Sequence, residues 1–206
     1  MTDSCLFTAA YLLLYSALHS LLASSRVKAS VGRLLGSRMA FYRFGYVVLS
    51  VLLLAPIPFL SFPAGRLYCI PAPWAWGLHV VQAGTVLGFL WALRNIDNGE
   101  FLGLSQIRRY RTGNHLPSGQ DKIPQFVTRG PYRLCRHPLY FLSIAGLAAQ
   151  PCVPGSYALL AGWAILYLWF GAYIDEHRLV RRFGDAYRHY QAVTPHLLPI
   201  PRRSKT

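Results

Sequence analysis

Acidic side chains are scarce. The chain has 206 residues with only 7 Asp+Glu against 21 Lys+Arg, a formal net charge of +14, and charged residues of both signs make up just 14% of it. A soluble domain carries about 25%, and a basic nucleic-acid binder is polar as well as positive, so no nucleic-acid partner is expected. Disorder is excluded from the other side. Disordered segments are poor in aromatics, whereas this chain has 5 Trp, 13 Tyr and 11 Phe and is 53% hydrophobic. What is left is an integral membrane protein whose few charges lie outside the bilayer. Its length suits one membrane domain over residues 1–206, without room for a separate soluble one.

Several chemical signatures are also missing. The four cysteines, Cys5, Cys69, Cys135 and Cys152, show no CxxC and no Cys/His ligand spacing. Neither a zinc site nor a disulfide framework is indicated, and each reads as a small apolar packing residue. His19 and His79 are single residues in different apolar runs, and the His-x-x-His-His boxes of a membrane di-iron enzyme are absent, so no metal is expected. A phosphate-binding glycine loop and a Rossmann fingerprint are absent too, which weighs against a nicotinamide-dependent membrane reductase.

Long apolar runs are what the sequence does have. Five of them suit membrane spans, over about residues 6–24, 44–62, 74–93, 138–152 and 156–174. Pro56 and Pro58 are placed to kink or end the second. The first lacks a positive leader, since Asp3 is the only charged side chain before it, and reads as a retained span rather than a signal peptide. Val153-Pro154-Gly155 reads as a tight turn that makes the last two spans an antiparallel hairpin. With five spans, Arg66 alone among the 21 basic residues falls on one side and the other 20 fall on the opposite side. The positive-inside rule then puts the N-terminus outside and the C-terminus in the cytoplasm.

Polar residues kept beside apolar spans are functional candidates by default. They gather in Arg129-Gly130-Pro131-Tyr132-Arg133-Leu134-Cys135-Arg136-His137-Pro138-Leu139-Tyr140, leading into the fourth span, and in Asp175-Glu176-His177-Arg178, leaving the fifth. The hairpin brings both stretches to one cytoplasmic face and assembles a site from His137, Tyr140, Asp175, Glu176 and neighbouring arginines. Pro138 suits the first turn of a helix, whose free N–H groups point at whatever binds there. An interfacial belt of lipid-contacting arginines and tyrosines is the competing structural reading. Beyond the hairpin, Leu179, Val180, Phe183, Tyr187 and Tyr190 recur at helical spacing with arginines between them. This predicts an amphipathic helix over about 175–193 lying on the cytoplasmic leaflet, as anchor, lid or both. The fold class is therefore all-α integral membrane, with about five spans and a cytoplasmic amphipathic C-terminal helix.

These words resemble the membrane methyltransferase family that includes isoprenylcysteine carboxyl methyltransferases and phospholipid N-methyltransferases, with bacterial thiol S-methyltransferases close by. The family pattern of Gly-x-Tyr-x-x-x-Arg-His-Pro-x-Tyr, a helical hairpin, an acidic pair and Phe-Gly-x-x-Tyr-x-x-Tyr falls here on Gly130, Tyr132, Arg136, His137, Pro138 and Tyr140, then Asp175 and Glu176, then Phe183, Gly184, Tyr187 and Tyr190. The resemblance is firm over about 100–201. Upstream, Phe101-Leu102-Gly103-Leu104-Ser105-Gln106 is similar to a Gly-Leu-x-Gln element of the thiol-methylating branch, as is His19-Ser20. Two positions depart from the pattern. Asp175 stands where Glu is usual, and Leu142 stands where many members have Gly, which would narrow the space beside a cofactor.

The resemblance implies methyl transfer from S-adenosylmethionine at the membrane–cytosol boundary, with a cofactor site drawn from Gln106, Tyr132, Arg136, His137, Tyr140, Asp175 and Glu176. In that reading Glu176 holds a ribose hydroxyl or the cofactor amino group, or balances the sulfonium. Arg136 and His137 meet the cofactor carboxylate, with Arg136 and Glu176 as positioning residues. Tyr140 covers the methionine or adenosine part, and Gln106 faces the same pocket. His19 either borders the substrate route or makes a helix-packing hydrogen bond. Direct transfer needs no covalent intermediate, so Cys135 has no assigned role. The acceptor is an amphiphilic or small thiol or a prenylcysteine-like carboxylate, with membrane lipids as surroundings. A phospholipid amine is a further choice, and a non-catalytic scaffold or transport partner is the rival from outside enzymology.

Overall fold

The computed structural model describes residues 2–57, 65–114 and 126–200. In chain order the elements are α1 (Thr2–Ala23), α2 (Ser25–Leu35), a 3-10 turn (Gly36–Phe41), α3 (Tyr42–Leu54), β1 (Arg66–Cys69), α4 (Trp74–Leu93), α5 (Asn98–Leu102), α6 (Leu104–Arg111), a second 3-10 turn (Gly130–Arg133), α7 (Pro138–Ala148), β2 (Cys152–Pro154), α8 (Gly155–Phe183) and α9 (Asp185–Val193). The expected end of the second span at 58–62, Lys122, and the basic residues Arg202, Arg203 and Lys205 lie outside the described residues. Contacts gather the chain into two units, one of residues 1–63 and 97–125, the other of 64–96 and 126–206.

In the first unit, tyrosine hydroxyls tie α1 to α3. Tyr11 donates to the Leu53 carbonyl (2.8 Å) and Tyr42 to the Leu22 carbonyl (2.7 Å). His19 joins the same seam, with Nε2 2.7 Å from the Tyr46 hydroxyl and Nδ1 3.1 Å from Ser50 Oγ. Both ring nitrogens thus bond across to α3, which is the helix-packing role. Ser24 caps α2 by accepting from the Val27 N–H (3.3 Å), and α3 stops at Leu54, just ahead of Pro56, where a helix cannot continue. Asp97 caps α5 through the Glu100 N–H (2.9 Å). Gly103, at φ 89°, then turns the chain into α6 so close to α3 that a Cβ there would sit 2.4 Å from the Phe44 backbone nitrogen. Arg109 forks onto both Glu100 oxygens (2.8 and 2.9 Å), and Gln106 donates to the Glu100 carbonyl (3.1 Å).

The second unit is built on α4, α7 and α8. Residues 152–154, read from sequence as a turn, form a strand instead: β2 pairs antiparallel with β1, with Cys69 opposite Cys152. That register brings the two Cα atoms to 4.1 Å and the sulfurs into a disulfide, which corrects the reading of these cysteines as packing residues. The pairing depends on two short strands 83 residues apart, so no local spacing announces it. Along α4 and α7 small residues allow close approach. A Cβ on Gly146 would lie 2.9 Å from Thr85 Oγ1, and one on Gly88 would lie 2.9 Å from Leu142 Cδ2. Leu142 therefore fills the space over a glycine of α4; its branch is spent on helix packing.

Among the described residues, four helical runs are long and apolar enough to cross a bilayer: Ser4–Ala23, Ser25–Leu54, Trp74–Leu93 and Gly155–Phe183. The chain is a multi-pass, predominantly helical membrane protein. The expected fourth span is shorter than 138–152, because α7 ends at Ala148 and Cys152 belongs to β2. Eleven residues rise about 16 Å, against a hydrocarbon core of about 30 Å. Nor is 175–193 one helix. α8 runs unbroken through Asp175 to Phe183, and Gly184, at φ 56°, breaks the chain before α9 begins.

Candidate active site

The approach to α7 is a tight piece of backbone. Gly130 sits at φ 60°, and a Cβ there would come within 2.7 Å of the Asn95 side chain, so only glycine fits. Its 3-10 turn delivers Arg136 and His137 to the start of α7, where Pro138 occupies the first helical position. Here the backbone pairs with the segment that follows α9. The Arg136 N–H donates to the Pro195 carbonyl (2.9 Å) and the His137 N–H to the His196 carbonyl (3.3 Å).

Glu176, on α8 and buried, is the hub. Oε1 accepts from Arg136 Nε (3.0 Å), His137 Nε2 (2.7 Å) and the Tyr187 hydroxyl (2.7 Å), while Oε2 accepts from Arg136 Nη2 (2.9 Å) and Gln191 Nε2. A carboxylate offers about four lone-pair sites, and five donors use them up. Arg136 is equally committed. Its fork on Glu176 is the bidentate arrangement that makes such pairs strong, and Nη1 donates to the carbonyls of Gln191 (3.0 Å) and Thr194 (2.6 Å). The pair, read from sequence as touching the cofactor, is thus bonded internally, because α9 folds back and presents its own donors and carbonyls.

Around this hub lie groups with capacity left. Tyr140 donates to Asp175 Oδ2 (2.7 Å), and the other Asp175 oxygen is only loosely held by exposed Arg178 (3.5 Å). The His137 and Tyr140 rings are nearly parallel, 8° apart, with centroids at 5.6 Å. His196 meets His137 edge-on at 5.1 Å, and its Nε2, shut off from water, has no hydrogen-bond partner among the described residues. Burial lowers the His196 pKa, with neighbouring His137 adding to the effect, so a neutral ring is favoured. Burial pushes the Tyr132 hydroxyl up to about 12 and the Cys135 thiol up to about 11, and raises Tyr187 and Tyr190 as well. The tyrosines therefore stay protonated donors, and Cys135 stays a thiol, a poor nucleophile.

Of the residues singled out in the sequence, Tyr132, Arg136, His137, Tyr140, Asp175 and Glu176 all belong to the second unit. Tyr132 enters through its backbone, whose carbonyl accepts from the Tyr190 hydroxyl. Gln106 belongs to the first unit, where its amide donates to Glu100. Sequence reasoning gave no site role to Tyr187, Tyr190, Gln191, Thr194 or His196. The first two were visible as a Tyr-x-x-Tyr word at helical spacing, and Gln191 stands one turn after Tyr187 on the same face. Phe126 packs its ring against Phe183, Tyr187 and Tyr190 and completes the support.

Atoms of His137, Glu176 and His196 lie within 4.8 Å of one another, close enough to suggest metal ligands. The donor set argues otherwise: Glu176 is saturated by hydrogen-bond donors, and a cation there would sit against the Arg136 guanidinium.

Comparison with known proteins gives the chain relatives. It is 32% identical over 107 residues to methanethiol S-methyltransferase 1 of Bradyrhizobium diazoefficiens, a match covering 52% of this chain and 36% of that protein. It is 29% identical over 198 residues to a methanethiol S-methyltransferase of a Pseudomonas species, covering 94% of this chain and 72% of the relative. An 81-residue stretch is 35% identical to the nickel-cobalt-cadmium resistance protein NccN of Alcaligenes xylosoxydans, covering 38% of each chain. No protein-family model matches the chain, and no solved structure gives a significant match. The chain is thus similar to bacterial thiol S-methyltransferases over most of its length, as the sequence words imply.

Proposed function

From this similarity to bacterial thiol S-methyltransferases, we propose that the chain transfers a methyl group from S-adenosylmethionine to a small thiol at the cytoplasmic face of the membrane. The observation that carries the reading is the Glu176 hub. It fixes α7, α8 and α9 around half-buried Tyr140 and Asp175 and buried His137. These residues suit the cofactor chemically: an acidic group with acceptor capacity for hydroxyls or an amino group, and stacked rings for a flat base. The cofactor, when bound, supplies an already activated methyl on a sulfonium. The chain's part is to align the acceptor sulfur with that methyl and keep water out. Tyr140 and Asp175 hold and orient the cofactor, with His137 offering its ring face. Arg136 and Glu176 position them, and Tyr132 anchors α9 through its carbonyl. Gln106 keeps a structural place beside Glu100 in its own unit and is not needed for this reading.

Binding of the demethylated cofactor, followed by calorimetry on detergent-purified protein, tests the site. Asp175→Ala removes a charged acceptor, a contact worth about 1.5–3 kcal/mol, so affinity is expected to fall about 10- to 100-fold, with Tyr140→Phe falling less. Full affinity in Asp175→Ala would sink the assignment.

Orientation belongs to the same proposal: five spans with α7 as the short fourth, the N-terminus outside and the C-terminus cytoplasmic. The charge partition supports it. So does the Cys69–Cys152 disulfide, since both residues fall in loops assigned to the outer side and disulfides persist in oxidising compartments. On intact bacterial cells, an impermeant maleimide is expected to label Cys69 and Cys152 only after a reductant is added. Labelling of these two residues only after lysis would contradict this orientation, and labelling without reductant would contradict the disulfide.

A further inference from the structure

The structure leaves one question open in the proposed reaction: a thiol must lose its proton before its sulfur attacks, and neither Glu176 nor Asp175 is well placed to take it. Glu176 is saturated by donors, and Asp175 is assigned to the cofactor in the proposed site. We infer that His196 is the base: its unpartnered Nε2, held at the rim of the Glu176 hub, takes the proton of the acceptor thiol. The inference rests on the thiol methyltransferase reading and names a catalytic residue within it.

Three observations carry it. The position of His196 is fixed by backbone, because its carbonyl accepts from the His137 N–H (3.3 Å) while the neighbouring Pro195 and Thr194 carbonyls accept from Arg136. Its ring is fixed by packing, edge-on to His137 at 5.1 Å and 73°. Its Nε2 is closed to water and has no partner among the described residues, a costly state for a polar atom unless a ligand meets it. The groups facing the ring are the Ala172 carbonyl and Glu176 from α8, and Arg136 and His137 from the approach to α7. The Ala172 carbonyl beside the ring favours an imidazole N–H directed at it, which leaves the lone pair for the unpartnered nitrogen. Burial and the two cationic or potentially cationic neighbours keep the ring neutral and ready to accept.

The step balances. The thiol S–H bond breaks and its proton goes to His196 Nε2. The sulfur's electron pair forms the new S–CH3 bond, and the bond from methyl to the cofactor sulfonium breaks with its electron pair remaining on that sulfur, which becomes a neutral thioether. After the methylated product leaves, the imidazolium passes its proton to solvent through the vacated thiol site.

The test uses the purified full chain with two acceptors, an alkyl thiol that is protonated at neutral pH and an aryl thiol that is already ionised. His196→Gln is expected to lower kcat/KM for the alkyl thiol by about 100-fold, to affect the aryl thiol far less, and to leave binding of the demethylated cofactor intact. Equal losses for the two thiols, or none, would overturn the inference. If His196→Gln does not fold, the wild type decides: the alkyl-thiol profile should show an acid limb below the ordinary imidazole value of about 6.5 that the aryl thiol lacks, and matching profiles would overturn it. Nitrogen-15 NMR adds a readout independent of turnover. At pH 7 the His196 ring should be neutral with its proton on Nδ1, whereas a proton on Nε2 would contradict the role. A wild type that binds the cofactor but methylates neither thiol would instead remove the thiol reading on which the inference rests.

Discussion

Glu176→Ala is expected to abolish cofactor binding and to lower the unfolding temperature of the protein by several degrees or more. The variant leaves the buried Arg136 guanidinium without its counter-charge, and breaking a buried pair from one side costs about 3–5 kcal/mol. It also strands the donors of Tyr187 and Gln191, which both end on this carboxylate. Glu176→Gln keeps the shape and one acceptor oxygen but loses the charge, so it should fall between wild type and Ala. Arg136→Lys keeps the charge but not the fork. It cannot reach both Glu176 oxygens and the Gln191 and Thr194 carbonyls at once, and should destabilise nearly as much as Glu176→Gln. Thermal unfolding in detergent, read beside binding of the demethylated cofactor, gives the order. An unfolding temperature unchanged in Glu176→Ala would show that the hub does not hold α9 in place.

Gly103→Ala is expected to destabilise the first unit strongly. Its φ of 89° is a left-handed conformation that costs an L-residue about 1–2 kcal/mol, and its Cβ would lie 2.4 Å from the Phe44 nitrogen and 2.9 Å from the Phe44 Cα. Those are backbone atoms, which cannot swing aside as a side chain would, so overpacking adds about 1–3 kcal/mol. Gly113→Ala is the control. Gly113 has φ 71° with nothing among the described residues within 4 Å of a new Cβ, so the conformational cost is what it is expected to bear. Unfolding temperatures of the two variants should differ clearly, with Gly103→Ala lower; equal values would mean that α5 and α6 do not press on α3 as described.

The sequence words carried the site's centre further than its surroundings. Arg136, His137, Tyr140, Asp175 and Glu176 could be brought together from one piece of reasoning, that a helical hairpin returns its two ends to the same face. That argument needs only run lengths and turn residues, which are local. What it left out depends on approach between distant segments. Leu142 looked like an intrusion on the cofactor until Gly88 was seen beneath it, on a helix more than fifty residues earlier. Cys69 and Cys152 gave no spacing signal, because strand register and not sequence distance sets them opposite. The 175–193 stretch showed helical periodicity throughout, and periodicity does not reveal that Gly184 at φ 56° turns the chain back on itself. That turn matters most. It brings Tyr187, Gln191 and the Thr194 to His196 segment onto Arg136, His137 and Glu176, and so closes their hydrogen bonds within the chain.

Thiol methylation is measured most directly by transfer of label. Purified protein is supplied with S-adenosylmethionine carrying a labelled methyl group and, in separate reactions, methanethiol, a prenylcysteine and phospholipid vesicles. Label is expected in the methylated thiol, with little in the other two and none from Asp175→Ala at limiting cofactor. Label recovered in the prenylcysteine ester or the phospholipid and not in the thiol would contradict thiol methylation, as would cofactor binding without transfer to any acceptor.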